Sequence, residues 1–284
     1  MTKKIFPKHE ILARLHRTIA ESKPIIGAGC SIGLIAKCAE IGGADFIIVY
    51  STGKSRLMGL PTSRIGDANP TTLSMLEELQ NVVKDTPIIG GIEAVDPRKL
   101  DLRELISPFI EIGYSGIINF PTVANLGESR IAERETVGLG YTREVEMISI
   151  ANEMRVFTMA YVFTPREAKL MAQAKVDCVI AHARGTEGGL VGYTNVSRKG
   201  KAVQTIQEII EAARSVDPEV ICLAHGGPFA HPEDTQYLYE HTDAQGYVGA
   251  SSIERIPIEK AITEVVREFK SIPIKRRTAE QKIQ

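Results

Sequence analysis

The feature of this sequence that most constrains its fold is an alternation of short apolar segments with longer segments of helical periodicity, repeated eight times. The short segments are rich in Ile, Val and Ala and are bounded by Gly, Pro or polar residues, which is typical of buried strands. The predicted strands are residues 24–27, 46–50, 87–91, 116–119, 156–161, 178–182, 220–224 and 246–249.

A helix is predicted after every strand, and several of these helices begin with proline. The N–H groups of a first helical turn have no partner within the helix, so the missing N–H of proline loses no hydrogen bond there. Pro165 and Pro232 are examples. The predicted helices are residues 32–41, 71–83, 100–112, 142–153, 165–174, 204–216, 232–241 and 258–271, with one more at 10–22.

The strands are apolar throughout rather than alternating, as expected for a parallel sheet covered on both faces. A chain of 284 residues has room for one large domain or two small ones. We predict an α/β fold, a (β/α)8 TIM barrel, over an open doubly wound sheet. The barrel is expected at residues 23–272, with an N-terminal helical extension at 1–22 and a polar tail at 273–284.

Composition excludes several classes of function. A formal net charge of −1, from 34 Lys and Arg against 35 Asp and Glu, argues against binding of bulk nucleic acid or an anionic membrane. No apolar run is long enough to cross a membrane. Because the four cysteines show no paired spacing, we expect reduced thiols and a cytoplasmic protein.

The segments after the second, fourth and sixth strands are long, polar and glycine-rich, at residues 51–70, 120–141 and 183–200. In a barrel all three open on the face at the carboxyl ends of the strands, where barrel enzymes have their active sites. We expect them to be lids or interfaces, and the alternative is mobile surface loops.

A glycine motif follows the first strand, from Gly27 through Gly29 to Gly33. This spacing resembles a dinucleotide fingerprint, but the second strand ends at Tyr50 and Ser51 without the acidic residue that binds ribose. A tight turn between strand and helix is therefore the favoured interpretation of Gly29, with ligand binding as the alternative.

The segments after strands seven and eight favour an anion site, since barrels often bind phosphate there through backbone N–H groups. Gly226 and Gly227 allow close approach of the backbone, and Ser251 and Ser252 add hydroxyl donors. The serines would otherwise cap a short helix. Arg56, after strand two, is a candidate bidentate partner for phosphate or carboxylate, or a solvated loop residue.

Candidates for proton transfer and metal binding also lie at strand ends. His182 and His225 end neighbouring strands and are predicted to act as general acid or base, or as metal ligands. Glu93 and Asp96 follow strand three, where carboxylates can hold Mg²⁺ or accept a proton, although Asp96 precedes Pro97 and would also cap a helix.

Three further residues, Ser51, Asn119 and Tyr161, complete a ring of polar groups at strand ends and are predicted ligand contacts. Such groups often only satisfy one another. Glu135 lies in the segment ERETVGLGY and is a candidate catalytic carboxylate if that loop folds over the mouth, with a solvent-facing position as the alternative.

Several strings in the chain resemble the phosphoenolpyruvate hydrolase-like family of predicted TIM-barrel signal-transduction proteins. They are GAGCSIGLIAKCAEIGGADFIIVYSTGKSR, GDANP, INFPTV, ETVGLGYTREVEMI, AYVF, AHGGP and GASSIERIP. The match extends from about residue 24 to 260. By the same resemblance, a related barrel is expected to form the C-terminal half of plant proteins that inhibit tobamovirus replication.

This resemblance implies a hydrolase or lyase that acts on a phosphoenolpyruvate- or phosphonopyruvate-like acid, with Mg²⁺ as cofactor. The chain departs from the DxD-type metal motif of that superfamily, since Glu93 and Asp96 stand in the string EAVDP. We expect a small anionic substrate at the barrel mouth, and we expect the chain to assemble as a homo-oligomer. The alternative is a non-catalytic ligand-binding or scaffold barrel.

Overall fold

The computed structural model describes residues 4–274 and contains a closed barrel of eight parallel strands, each paired with its neighbours in chain order. The predicted (β/α)8 TIM barrel is confirmed. The strands are β1 (Ile25–Gly29), β2 (Phe46–Val49), β3 (Ile88–Gly91), β4 (Gly116–Ile118), β5 (Phe157–Val162), β6 (Cys178–His182), β7 (Ile221–His225) and β8 (Gly246–Gly249).

Helices surround the barrel and follow every strand. They are α1 (Lys8–Ala20), α2 (Gly33–Ile41), α3 (Gly53–Leu57), α4 (Ala68–Val82), α5 (Leu102–Ile112), α6 (Glu128–Glu135), α7 (Tyr141–Glu153), α8 (Pro165–Gln173), α9 (Lys199–Arg214), α10 (Asp234–His241) and α11 (Ile256–Ser271).

Local sequence signals explain where several elements begin. The Thr164 hydroxyl accepts a hydrogen bond from the backbone N–H of Glu167, and Pro165 occupies the first helical position of α8. Asp101 caps α5 in the same way through the N–H of Arg103. Each strand between these helices is buried over nearly its whole length, because a parallel sheet in a barrel is covered on both faces.

The N-terminal helix closes the end of the barrel at which the strands begin. Ile11 and Leu15 of α1 are fully buried. The backbone N–H of Phe6 donates to the Ser115 hydroxyl just before β4, and Lys8 forms an ion pair of 2.9 Å with Asp177 just before β6. Helix α1 is therefore packed into the same core as the barrel.

Two of the three predicted loops contain short helices that the periodicity of the sequence did not predict. Residues 51–70 include α3, and residues 120–141 include a 3-10 helix, Val123–Leu126, followed by α6. Residues 183–198 form the irregular segment that we call the β6 loop. Of the predicted tail, residues 275–284 lie outside the described part of the chain. Among residues 4–274, no helix is both long enough and apolar enough to cross a membrane.

Candidate functional site

A cavity of about 520 Å³ lies at the carboxyl ends of the strands. It is lined by residues that follow β2, β4, β6, β7 and β8, so five separate segments meet there. This is the face on which barrels build their sites from strand ends and loops.

The floor of the cavity is a layer of aromatic and imidazole rings. His182 and His225 are neighbours across β6 and β7, and their ring centroids are 4.4 Å apart. The ring of Tyr161 lies 5.1 Å and 5.0 Å from these two imidazoles, and Phe120 lies 5.3 Å from Tyr161. The prediction that the two histidines point into one mouth agrees with this placement, since both line the cavity.

Both histidines are buried, and burial holds them in the neutral form. Burial lowers the pKa of His225 to about 4, against a smaller opposing effect of the hydrogen bond with the Val248 carbonyl. That contact joins Nδ1 to the carbonyl oxygen over 2.7 Å, so Nδ1 carries the proton and Nε2 keeps a lone pair. Burial, followed by the proximity of His225, also lowers the pKa of His182, whose Nδ1 has no partner in the described residues.

Three arginines and no Asp or Glu line the cavity among residues 4–274. Arg64 forms an ion pair with Glu93 from outside the lining. Arg184 forms no ion pair with any described residue, and its guanidinium lies 5.0 Å from the ring centroid of Phe163. Its backbone φ of 73° is in the left-handed region, which a non-glycine residue rarely adopts and which often marks functional sites.

Arg56 is also in the cavity wall, but its charge is already compensated. Its Nε and Nη2 donate to one carboxylate oxygen of Glu254 over 3.0 and 2.6 Å, and the two side chains are 2% and 0% exposed. The other oxygen of Glu254 accepts the N–H of Ser31. Arg56 is therefore placed at the predicted site, held by an acid that the sequence analysis did not single out.

Several buried hydroxyl groups at the mouth have no hydrogen-bond partner in the described residues. They are Ser51 Oγ, Thr52 Oγ1, Ser252 Oγ and Tyr161 Oη. Of the predicted serines, Ser251 lines the cavity, as does Thr52. Unpaired buried hydroxyls are costly, and of these four only that of Thr52 belongs to a residue lining the cavity, where it is a donor for a ligand.

The predicted glycines allow backbone conformations and close backbone contacts at the mouth. Gly226 and Gly227 have φ values of 77° and 62°, and a Cβ on either would collide with the β6 loop backbone. Their N–H groups donate to Tyr247 Oη and to the Arg184 carbonyl. Gly29 packs against Ala250, where a Cβ would come within 3.0 Å, which agrees with a role in close packing.

Asn119 joins β4 to β5. Its amide donates to the Tyr161 carbonyl and accepts the Tyr161 N–H, and it also donates to the carboxylate of Glu144. Glu144, from α7, accepts two more hydrogen bonds, from the Thr122 hydroxyl and the Val123 N–H. Burial raises the pKa of Glu144 to about 8, and these three hydrogen bonds act in the opposite direction.

The predicted metal ligands lie outside the first cavity, in an adjoining one of about 780 Å³. Glu93 is paired with Arg64, and Asp96 is bound by Arg98, whose hydrogen bond lowers the pKa of that carboxyl to about 2. In the described part of the chain no group of three or more His, Cys, Asp or Glu residues is arranged to hold a metal. The donor set does not fit Mg²⁺, because arginines already occupy both carboxylates.

Glu135 lines neither cavity. Its carboxylate accepts the backbone N–H of Thr142 over 2.9 Å, in the first turn of α7. This geometry places Glu135 as a cap of α7.

Comparison with known proteins adds a family relationship. Residues 10–272 match the family model described as phosphoenolpyruvate hydrolase-like. The chain is 39% identical, over 273 residues, to two tomato (Solanum lycopersicum) proteins named ToMV susceptible protein tm-1(GCR26) and ToMV resistance protein Tm-1(GCR237). The match covers 92% of this chain but only 35% of each tomato protein, so this chain spans about a third of their length.

Solved structures share the fold at low identity. A phosphonopyruvate hydrolase in complex with oxalate and Mg²⁺ superposes with a TM-score of 0.60 at 16% identity, covering 96% of this chain and 93% of the other. The phosphoenolpyruvate phosphomutase of Streptomyces platensis subsp. rosaceus gives 0.58 at 16% identity, with coverages of 92% and 86%.

Proposed function

The chain belongs to the phosphoenolpyruvate hydrolase-like family, and on that premise we propose that it is a hydrolase or lyase for a small phosphoenolpyruvate- or phosphonopyruvate-like acid. The observation that carries the proposal is the composition of the mouth cavity: arginine side chains, the hydroxyls of Thr52 and Ser251 and two buried histidines, with no lining carboxylate among the described residues. Such a cavity favours a small anion and disfavours a cation.

Arg184 is the proposed anchor for the carboxylate or phosphoryl group. Its guanidinium has no acidic partner in residues 4–274, whereas Arg56 and Arg64 are paired with Glu254 and Glu93. The hydroxyls of Thr52 and Ser251, which line the same cavity, are the proposed further donors to this anion. Charge-assisted hydrogen bonds of this kind are the stronger ones in proteins.

His225 is the proposed proton acceptor. Its Nδ1–H is directed to the Val248 carbonyl, so the lone pair on Nε2 is available to take a proton from a water molecule as that water attacks the bound acid. The imidazolium formed at His225 then returns this proton to the leaving group, while neutral His182 lies beside it, 4.4 Å away between ring centroids. The buried layer beneath these rings keeps bulk water away from the reacting atoms.

The proposed steps use only side chains of this chain. The solved phosphonopyruvate hydrolase complex contains oxalate and Mg²⁺, and this observation applies to that protein alone. In this chain Glu93 and Asp96 are bound by arginines. We therefore expect ligand binding to be independent of Mg²⁺.

The test is a thermal-shift series with phosphoenolpyruvate, phosphonopyruvate, oxaloacetate and plain phosphate, each with and without Mg²⁺, followed by measurement of released phosphate and pyruvate. A ligand at 100 times its dissociation constant stabilises the folded state by about 2.7 kcal/mol. Stabilisation by a three-carbon acid with product release supports the proposal. If no acid stabilises the protein, the proposal fails.

The variant Arg184→Ala isolates the anchor. We expect it to weaken binding of the acid about 10- to 100-fold, since a hydrogen bond to a charged group contributes roughly 1.5–3 kcal/mol. Arg166→Ala, an exposed arginine of α8, is the matched control and should bind as the unchanged protein does. Equal affinities of the two variants would remove Arg184 from the site.

A second candidate function is a ligand-binding barrel without turnover. The low pKa of both histidines favours it, because groups that stay neutral over the whole physiological range are weak acids and bases. Binding of a three-carbon acid without release of phosphate or pyruvate would select this alternative.

A further inference from the structure

The mouth cavity adjoins the second cavity, of about 780 Å³, at the carboxyl ends of the strands. Three residues line both cavities, Arg64, Pro121 and Thr122. Arg64 belongs to the segment after β2, and Pro121 and Thr122 follow β4. Because the two cavities share this wall, they are neighbouring chambers, and a ligand held in the first has a direct route into the second.

The mouth cavity is larger than a three-carbon acid requires. A water molecule takes up about 30 Å³ in the liquid, and a three-carbon acid with its phosphoryl group fills roughly the space of four to six waters. The cavity of about 520 Å³ therefore holds such an acid with more than half of its volume left over. The remaining space suits a further substituent on the acid.

Polar atoms without a partner lie in the mouth cavity and not in the second one. Thr52 Oγ1 and His182 Nδ1 belong to residues of the mouth-cavity lining and have no hydrogen-bond partner in the described residues. Among residues 4–274, no residue of the second-cavity lining carries such an atom. The hydroxyl of Thr122, on the shared wall, donates to Glu144 over 2.8 Å. The polar part of a ligand is therefore best satisfied in the mouth cavity.

The charged side chains around the second cavity balance one another. Among residues 4–274 its lining contains three arginines and three acids, namely Arg64, Arg98, Arg134, Asp67, Glu93 and Asp96. Arg64 pairs with Glu93 over 2.7 Å, and Arg98 pairs with both Asp96 and Asp67. Since all three acids are already paired and the fixed charges sum to zero, this cavity does not attract a second charged group.

Apolar side chains form the rest of the wall of the second cavity. They are Val95, Pro97, Pro121, Val123, Leu126 and Leu139. Val95 and Val123 are buried and fix the wall, whereas Leu126 is 37% exposed and Leu139 is partly buried. An alkyl or aryl group that covers this wall removes apolar area from water on both sides of the contact.

We propose that the ligand of this barrel is an amphipathic acid. Its anionic head group occupies the mouth cavity, and its apolar alkyl or aryl tail extends past Pro121 and Thr122 into the second cavity. This inference rests on the proposed function, since it keeps the acid group on Arg184. It extends the substrate class from three-carbon acids to acids with a longer apolar chain, of which a three-carbon acid is only the head group.

The first experiment measures affinity along a homologous series by calorimetry: pyruvate, 2-oxobutanoate, 2-oxohexanoate and 2-oxooctanoate, with phosphoenolpyruvate in parallel. Affinity should rise about three- to fourfold for each methylene group that is buried. Binding of pyruvate or phosphoenolpyruvate without any gain along the series overturns the amphipathic class and leaves the proposed function standing. No binding of any of these acids overturns both.

The second experiment tests whether the tail is apolar. It compares 2-oxooctanoate with 2-oxooctanedioate, which has the same chain but ends in a carboxylate. The second acid should bind about tenfold or more weakly, because its terminal charge loses water without gaining a free partner. Equal or tighter binding of the diacid would overturn the apolar assignment and make Arg134, which lines the second cavity, the anchor of a second anionic group.

The third experiment compares two leucine variants. Leu126→Gln makes the wall of the second cavity polar without adding charge, and it should lower the ratio of 2-oxooctanoate affinity to pyruvate affinity about fivefold. Leu34→Gln is the matched control, because Leu34 is 70% exposed on α2 and lines neither cavity. An unchanged ratio in Leu126→Gln would contradict the proposed path of the tail. Circular dichroism checks that both variants are folded.

The fourth experiment locates the tail by protection from alkylation. Cys38 is exposed and the other three cysteines are buried, so Cys38→Ser provides a background in which Leu126→Cys is the accessible thiol. At ten times its dissociation constant, 2-oxooctanoate should slow labelling by iodoacetamide about tenfold, since about nine-tenths of the protein is occupied. Pyruvate at equal occupancy should give no such protection. Labelling that 2-oxooctanoate leaves unchanged would place the tail elsewhere and overturn the proposal.

Discussion

The ion pair between Arg56 and Glu254 is almost completely removed from solvent, with side chains that are 2% and 0% exposed. A buried charge without its partner is strongly destabilising, whereas an apolar pair of similar volume is often tolerated. This pair joins α3 to the π-helical turn after β8, Ser251–Arg255, and so fixes one wall of the mouth cavity.

We predict that Glu254→Gln lowers the free energy of unfolding by about 3 kcal/mol or more, because it leaves the Arg56 charge buried without compensation. The double variant Arg56→Met with Glu254→Met should recover most of that loss. Urea unfolding of the three proteins measures both effects. A loss below about 1 kcal/mol for Glu254→Gln, as for a surface pair, would contradict this view of the pair.

The neutral state of His225 has a consequence for acid stability. Its pKa is about 4 in the folded protein and near the ordinary value of 6.5 in the unfolded chain. Between these two values the unfolded chain binds more protons, so stability is complete above about pH 6.5 and is lost as the pH falls toward 4.

From this difference in pKa we predict that protonation of His225 in the unfolded chain lowers the free energy of unfolding by about 2 kcal/mol when the pH is lowered from 7.5 to 5.0. Burial also lowers the pKa of His182 and raises the pKa of Glu144, so these groups add their own pH dependence. The measurement is therefore the difference between the unchanged protein and His225→Gln in urea unfolding at both pH values. The same pH dependence in both proteins would show that His225 is not held neutral by the fold.

The β6 loop is tied to the start of α11. Arg255 donates to the Gly188 carbonyl over 3.0 Å and forms an ion pair with Glu259, and Glu259 accepts the N–H of Leu190. The same loop supplies Arg184 and Tyr193 to the cavity lining. The start of α11 is thereby connected to the cavity wall.

We predict that Glu259→Ala increases amide hydrogen exchange in the β6 loop and weakens ligand binding several-fold, since both bonds of that carboxylate are lost. Glu264→Ala, on an exposed position of the same helix, is the control and should leave exchange unchanged. Hydrogen exchange followed by mass spectrometry resolves the loop from the barrel. Unchanged exchange in Glu259→Ala would mean that other contacts order this loop.

The whole barrel includes α1, although that helix precedes the first strand. Leu15 is fully buried in the same core as the strands. We predict that Leu15→Ala lowers the free energy of unfolding of the complete protein by about 2–5 kcal/mol in a single cooperative transition. Arg17→Ala, exposed on the same helix, should change it by less than about 0.5 kcal/mol. A separate early transition in Leu15→Ala would show that α1 folds apart from the barrel.

The sequence by itself determined the barrel, its order of elements and the face that carries the site. Strand and helix periods are local properties of the chain, and turn residues mark their ends within a few positions. His182 and His225 could be placed in one mouth for the same reason, because each ends a strand of a parallel barrel. Short helices such as α3 and α6 were missed, since one or two turns carry too little periodicity.

Only the tertiary structure decided which charges at the mouth are available. Arg56 and Glu254 are 198 residues apart in sequence, and Glu93 is paired with Arg64 from 29 residues away, whereas Asp96 takes its partner Arg98 from its own loop. Pairing, burial and the resulting pKa values depend on what packs against each group, and no local pattern reports them. Arg184, which has no acidic partner among residues 4–274, therefore became visible as the available charge only once the chain was folded.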